Sequence, residues 1–184
     1  MIREARKQDC KQAAVLILDA IHDIANALTG ESEKGKVLKQ LERYYCQERN
    51  RISYRNCLVK AVDDYPVGIV VAYDGKDAEA LDEPIRDHLR QKSGKPPVID
   101  QEADANDYYL DTISVSPVHG GKGYGTELLQ AAMQHAKELG YGTVSLNVEE
   151  SNARARQLYE RLGFSAKKTI MINGHLYYYM IKPV

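Results

Sequence analysis

Apolar and polar positions along this chain fall into two periods. Ala13, Ile17, Ile21, Ile24 and Leu28 recur three to four residues apart. They predict one long helix with a buried stripe, capped by Asp9 and stopped by Gly30. Residues 36–48 predict a second helix, with Val37, Leu41 and Tyr44/Tyr45 inward, and the polar stretch 29–35 separates the two. The period then falls to two. Residues 57–62 and 67–73 predict an antiparallel pair joined through Asp63-Asp64-Tyr65-Pro66, and 2–5 predict a short first strand. Residues 78–91 read as a helix. Residues 110–115 alternate and stop before Pro117, which cannot donate to a sheet ladder. There follow a helix over 126–139, a strand over 143–149 with Val144, Leu146 and Val148 inward, and a helix stopped by Gly163. A closing hairpin (166–172 and 175–181) turns through Asn173-Gly174.

The join between the 110–115 strand and the next helix carries the most chemistry. Gly120, Gly121, Gly123 and Gly125 lie there. A strand that passes through glycines into a helix N-terminus makes an anion site, because unpaired N–H groups and the positive end of the helix dipole converge on it. Spacing separates the kinds of phosphate loop. A Walker A loop needs Ser or Thr after its lysine, and Lys122 is followed by Gly123. A dinucleotide fingerprint needs Gly-x-Gly-x-x-Gly, and Gly121-x-Gly123-x-Gly125 has the wrong final spacing. A plain flexible turn fits less well, since four glycines at this spacing open a helix and not a hairpin.

Gly120-Gly121-Lys122-Gly123-Tyr124-Gly125, with Val115-Ser116-Pro117 before it and Leu128-Leu129 after it, resembles the pyrophosphate loop of the GNAT superfamily of acyl-CoA-dependent N-acyltransferases. That loop reads Arg or Gln, two residues, Gly, one residue, then Gly or Ala. Gly120 departs from it at the first position, so a side chain that helps hold the loop or the phosphates is absent; Lys122 offers a replacement charge. Downstream, Asn152, Ala153, Tyr159 and the closing Gly163-Phe164 also resemble the family, in its order and at its separation.

The resemblance implies an α+β GNAT fold: a mixed, mainly antiparallel twisted sheet with helices on both faces, in one domain over 1–184. It implies acetyl-CoA as cofactor, bound around Gly120, Gly121, Lys122, Gly123, Tyr124, Gly125 and Thr126, with its arm along the strand at Ile113 and Val115. In the family, the Asn152 equivalent contacts the pantetheine arm and the Tyr159 equivalent protonates the departing thiolate. A backbone N–H among residues 114–116 meets the oxyanion, and the early helices with the 29–35 loop border the acceptor pocket. Asn152 and Tyr159 are seven apart and share a helical face. Asn152 also fits a helix cap, and Tyr159 a packed core tyrosine.

Attack on a thioester requires a neutral amine. Asp111 is the candidate that accepts its proton, on a face shared with Tyr109, Ile113 and Val115. The alternative is that Asp111 pairs with a neighbouring Lys or Arg. A carboxylate of ordinary pKa is a weak base for an ammonium, so its larger effect is to bind the cation. Glu149 and Glu150 are further acceptor-side candidates, Tyr108 and Tyr109 line the pocket or pack, and Tyr177, Tyr178 and Tyr179 read as sheet packing.

Composition narrows the partners. A net charge of −1 gives no push toward nucleic acid. Cys10, Cys46 and Cys57 are odd in number and scattered, which argues against a disulfide framework and fits a reducing, cytoplasmic setting. The apolar stretch 13–18 is too short for a membrane span. The five histidines show no metal-ligand spacing, so no metal is expected. The acceptor is a small-molecule or peptide amine; relatives in the family often form dimers, so a homodimer stays open. Residues 75–107, with Gly94, Pro96 and Pro97 followed by Asp100, Glu102 and Asp104, look inserted relative to the family. They form either a lid whose acids draw in a cationic amine, or a solvated excursion or oligomer contact. The rival reading of the whole chain is a module that binds acyl-CoA without turning it over.

Overall fold

A computed structural model describes residues 1–184. One sheet holds seven strands: β1 (Ile2–Glu4), β2 (Cys57–Val62), β3 (Tyr65–Asp74), β4 (Tyr108–Val115), β5 (Thr143–Glu149), β6 (Ser165–Ile172) and β7 (His175–Pro183). Their spatial order is β1-β2-β3-β4-β5-β7-β6, antiparallel throughout except for β4 against β5. The helices are α1 (Cys10–Ile21), α2 (Asp23–Thr29), α3 (Lys34–Cys46), α4 (Ala78–Ser93), α5 (Tyr124–Glu138) and α6 (Ala153–Arg161). No helix is long and apolar enough to cross a membrane.

The sheet separates two cores. One packs Ile17, Leu28, Leu41, Tyr45 and Ile85 from α1 to α4 against Ile69 and Val71. The other packs Leu128, Leu129 and Met133 from α5 against Val70 and Ala72. Successive β3 residues thus serve opposite faces, as a pleated strand requires. Leu128 is fully buried, so truncating it to alanine costs about 2–5 kcal/mol.

Two elements differ from the sequence expectation. The long first helix is broken at His22, which takes φ 46° and ψ −118° and splits it into α1 and α2. The apolar period runs through the break because both halves cover the same core, so periodicity alone does not show it. Asp9 does not cap α1 through its side chain; its carboxylate accepts from Arg3 at 2.9 Å and from the Arg6 amide at 2.8 Å. Second, the β2–β3 turn is tighter than expected. Asp63 and Asp64 both take positive φ, and Tyr65 and Pro66 already belong to β3.

The segment that looked inserted is built into the body. Ile85 and Leu89 of α4 join the first core, so α4 is no solvated excursion. The two ends of the segment close tightly. The Gly75 amide donates to the Asp107 carbonyl at 2.8 Å, and a Cβ at position 75 would lie 2.0 Å from the Asp104 oxygen. Only glycine permits that approach.

Candidate active site

β4 and β5 pair only over Tyr108–Leu110 and Val144–Leu146, then part. The cause lies on the other edge of β4. Val71 opposes Thr112 and Ala72 opposes Leu110, which leaves Asp111 as the extra residue of a bulge. The strands splay into a cleft of about 380 Å³, walled by β4 from Tyr109 to Val115, the end of β5, α6, and the α1–α2 break. The bulge also corrects the expected face. Ile113 and Val115 pack with Tyr108 and Leu110 against the α5 core. Tyr109 and Asp111 turn instead towards Tyr73 and Arg51.

The glycine loop follows β4, past Val115, the last β4 residue of the cleft lining. Gly121 and Gly123 take φ 75° and 79°, and Gly123 caps α5 in the left-handed region. The amides of residues 121–126, six in a row, donate to no protein group. They fit a diphosphate, which accepts from such N–H rows at a helix start. The start of α5 is pinned from the sheet by Lys60, which pairs with Glu127 and sits 4.4 Å from the centroid of the Tyr124 ring. The Gly120 amide closes a turn onto the Pro117 carbonyl.

Along β4, the Ser116 amide donates to the Val67 carbonyl at 2.8 Å. Amides alternate in direction along a strand, so the Ser114 amide also faces β3, while those of Ile113 and Val115 face the open side. Of the residues 114–116 considered as oxyanion donors, this leaves Val115. Asn152 and Tyr159 both line the cleft. Asn152 Oδ1 accepts from the Ala155 amide at 3.1 Å, so it does cap α6. The Tyr159 ring packs edge-on against Phe164, and its hydroxyl has no partner in the protein. Burial pushes its pKa up to about 12.

The other end is built from charges. Asp111 lines the cleft, but both of its oxygens are engaged: Oδ2 accepts from Arg51 at 2.8 Å and Tyr73 at 2.7 Å, and Oδ1 from Thr112 at 2.9 Å. The acids of the inserted segment divide. Asp100 accepts from the Asn173 amide, and Asp104 pairs with Lys167 and Lys168. Glu102 alone turns into the cleft, onto Arg51 and Tyr109. Glu149 lines the cleft and reaches His175 at 3.3 Å; Glu150 does not line it. The cleft is bordered by the α1–α2 break and not by the 29–35 loop, where Glu31 ties to Lys92 of α4. Arg51, Asn147 and Tyr177 are cleft residues that sequence reasoning did not single out. No motif marks Arg51, and the Tyr177-Tyr178-Tyr179 run does not show which ring faces out.

The acetyltransferase (GNAT) family model matches residues 18–164. Over 57 residues the chain is 44% identical to the mycothiol acetyltransferase of Propionibacterium freudenreichii, a match covering 31% of this chain and 18% of that protein. Over 79 residues it is 32% identical to the spermine/spermidine N(1)-acetyltransferase of Bacillus subtilis, covering 42% and 52%. The chain thus spans about half or less of these two relatives. A crystal structure of an acetyltransferase aligns over 100% of this chain and 99% of its own, at 33% identity and a TM-score of 0.83. An N-acetyltransferase from Staphylococcus aureus Mu50, 24% identical with a TM-score of 0.85 over 99% and 100%, has the same fold.

Proposed function

The chain belongs to the acetyltransferase (GNAT) family, and from that premise we propose that it moves an acetyl group from acetyl-CoA to the primary amine of a small molecule or peptide. The observation that carries this reading is the row of unpaired amides over residues 121–126, in the loop that follows the strand whose last residue, Val115, lines a cleft together with Asn152 and Tyr159. The amides hold the diphosphate, with Lys122 beside them; Ile113 and Val115 offer backbone to the arm, and Asn152 stands beside it. Bound there, the CoA ester supplies an activated thioester carbonyl. The Val115 N–H donates to the negative charge that builds on the carbonyl oxygen. Tyr159, kept protonated by its raised pKa, gives a proton to the sulfur as it leaves. Asp111 holds Arg51 and Tyr73 in place and adds negative charge where an ammonium must approach. The name of the Bacillus relative supports a small-molecule amine as acceptor.

The test is thiol release from acetyl-CoA across a panel of amines, read with a thiol reagent. Amine-dependent release is expected. Tight binding of acetyl-CoA with no release on any amine would favour the binding-module reading instead.

A further inference from the structure

Three carboxylates surround one guanidinium at the far end of the cleft. Arg51 reaches Asp111 at 2.7 Å, Glu102 at 2.8 Å and Asp82 at 3.6 Å, and all four side chains are nearly sealed. One positive charge against three negative leaves an excess of two. Uncompensated buried charge is costly, so such a group binds extra protons or takes up a cation.

Of the three acids, only Glu102 is both in the cleft and incompletely bonded. Asp111 has both oxygens engaged, and Asp82 lies behind, outside the cleft lining. Glu102 Oε2 accepts from Arg51 Nη2 and from the Tyr109 hydroxyl, each at 2.8 Å. Its Oε1 has no partner and is not sealed away, although the side chain is only 9% exposed. Next to it, Asn147 donates to the Glu102 carbonyl and to Tyr109, and its own Oδ1 is left without a partner. The cleft also carries Asp19, Asp23 and Glu149, and Arg51 is its only Lys or Arg.

We propose that Glu102, delivered by the segment between α4 and β4, receives the acceptor's ammonium and takes its proton, and that the acceptor is a small amine with a second positive charge and no nearby carboxylate. The inference rests on the transfer reading above. Glu102 Oε1 accepts a hydrogen bond from the ammonium and then its proton. The freed amine nitrogen forms a C–N bond to the thioester carbonyl carbon, and the C–S bond breaks. The sulfur leaves with the electron pair and takes a proton from Tyr159, which recovers one from the nitrogen. Glu102 passes its proton to solvent. An ammonium and an acetyl thioester become an amide, a free thiol and one proton.

The groups facing Glu102 are Arg51 from the loop after α3, Tyr73 on β3, Tyr109 and Asp111 on β4, Asn147 on β5 and Tyr177 on β7, with Asp82 of α4 sharing the Arg51 guanidinium. Burial pushes the Glu102 carboxyl up, Arg51 pulls it back, and Asp111 adds to the rise; the net shift is upward. A raised carboxylate is a better base toward an ammonium than an ordinary one.

Glu102→Gln tests this, because its amide oxygen still accepts from Arg51 and Tyr109. Propane-1,3-diamine, propylamine and β-alanine match in length and differ in charge. Wild-type kcat/KM is expected to fall in that order. Glu102→Gln is expected to lose about 100-fold on the diamine, to flatten the panel, and to lose the decline in kcat as pH falls through the carboxyl's pKa. Glu102→Asp should keep that decline with partial activity. Acetyl-CoA affinity by calorimetry should match wild type in both variants, which also reports that they fold. The proposal is overturned if Glu102→Gln stays within about threefold of wild type with the acid decline intact, or if wild type prefers β-alanine. A wild type that binds acetyl-CoA and acetylates no amine overturns the transfer reading, and this inference with it.

Discussion

The two ends of the site are made of different materials. The glycine-loop end is backbone from one contiguous stretch: residues 121–126 present their amides because the local φ values demand it. The other end is side-chain charge gathered from distant places: Arg51 is 60 residues from Asp111 and 51 from Glu102. A site made of backbone follows from local conformation, and local conformation is written in glycine spacing and helix starts. A site made of charge follows from the tertiary fold, which must bring the partners together before any of them is tolerable in a buried setting.

If the charged end is a single electrostatic unit, removing its centre has the largest effect. Arg51→Met leaves Asp82, Glu102 and Asp111 buried without their guanidinium, and the expected loss is about 3–5 kcal/mol. The pH dependence follows from the directions already present. Burial raises the Asp82 and Glu102 carboxyls in the fold, and Arg51 opposes that rise. Without Arg51 they rise further, so the folded variant binds protons that the unfolded chain releases. Its stability is greatest below the ordinary carboxylate range and declines as pH climbs through the raised values. Thermal melts should show a deficit against wild type that widens from acid to neutral pH. A deficit independent of pH would mean that lost packing, and not charge, explains it.

The next effect separates chemistry from binding at the boundary between the two ends. Tyr159→Phe keeps the ring against Phe164 and removes only the unpartnered hydroxyl. The turnover number should fall about 100-fold while calorimetry gives an unchanged acetyl-CoA affinity. Equal losses in both would assign Tyr159 to the walls of the site.

A smaller effect isolates the backbone end. Gly123→Val forces a β-branched residue to φ 79°, at about 1–3 kcal/mol of strain, which is roughly 5- to 150-fold in acetyl-CoA affinity. Gly123→Asn should cost less, since asparagine visits the left-handed region. Discrimination among amines by the acceptor end should not change in either variant.

The loop, β5, the cap at Asn152 and the hairpin at Asn173-Gly174 were legible because each depends on neighbours within a few residues. Three features were not. The break at His22 hides inside an unbroken apolar period. The bulge at Asp111 moves Ile113 and Val115 to the opposite face, and a bulge leaves no mark in strand alternation. Arg51 has no local pattern, and without Arg51 the partner of Asp111 had no name. The acidic stretch after Pro97 was visible, but not which of its three acids turns inward: that is decided by Lys167, Lys168 and the Asn173 amide, all more than 60 residues away.

That last division sets the smallest expected effect, and it tests whether ion pairs or backbone bonds place Glu102. Asp104 meets Lys167 at 3.0 Å and Lys168 at 2.6 Å, both lysines nearly half exposed. Burial alone would raise its carboxyl, but the two lysines outweigh that and hold it below the ordinary value. Its contribution is therefore present above the unfolded carboxylate pKa and fades as pH falls through the lowered one. Exposed pairs of this kind are worth less than about 1 kcal/mol each. The backbone holds the same segment independently: the Asp104 amide donates to the Tyr179 hydroxyl at 3.0 Å, the Asn147 side chain donates to the Glu102 carbonyl at 3.0 Å, and the Gly75 amide donates to the Asp107 carbonyl at 2.8 Å. Asp104→Asn keeps all three. It should lower the melting temperature by only a few degrees and leave the Michaelis constant for the amine unchanged. A rise in that constant without further loss of stability would show that the lysine pairs aim Glu102, and the charged end of the cleft would then extend to the edge strand β6.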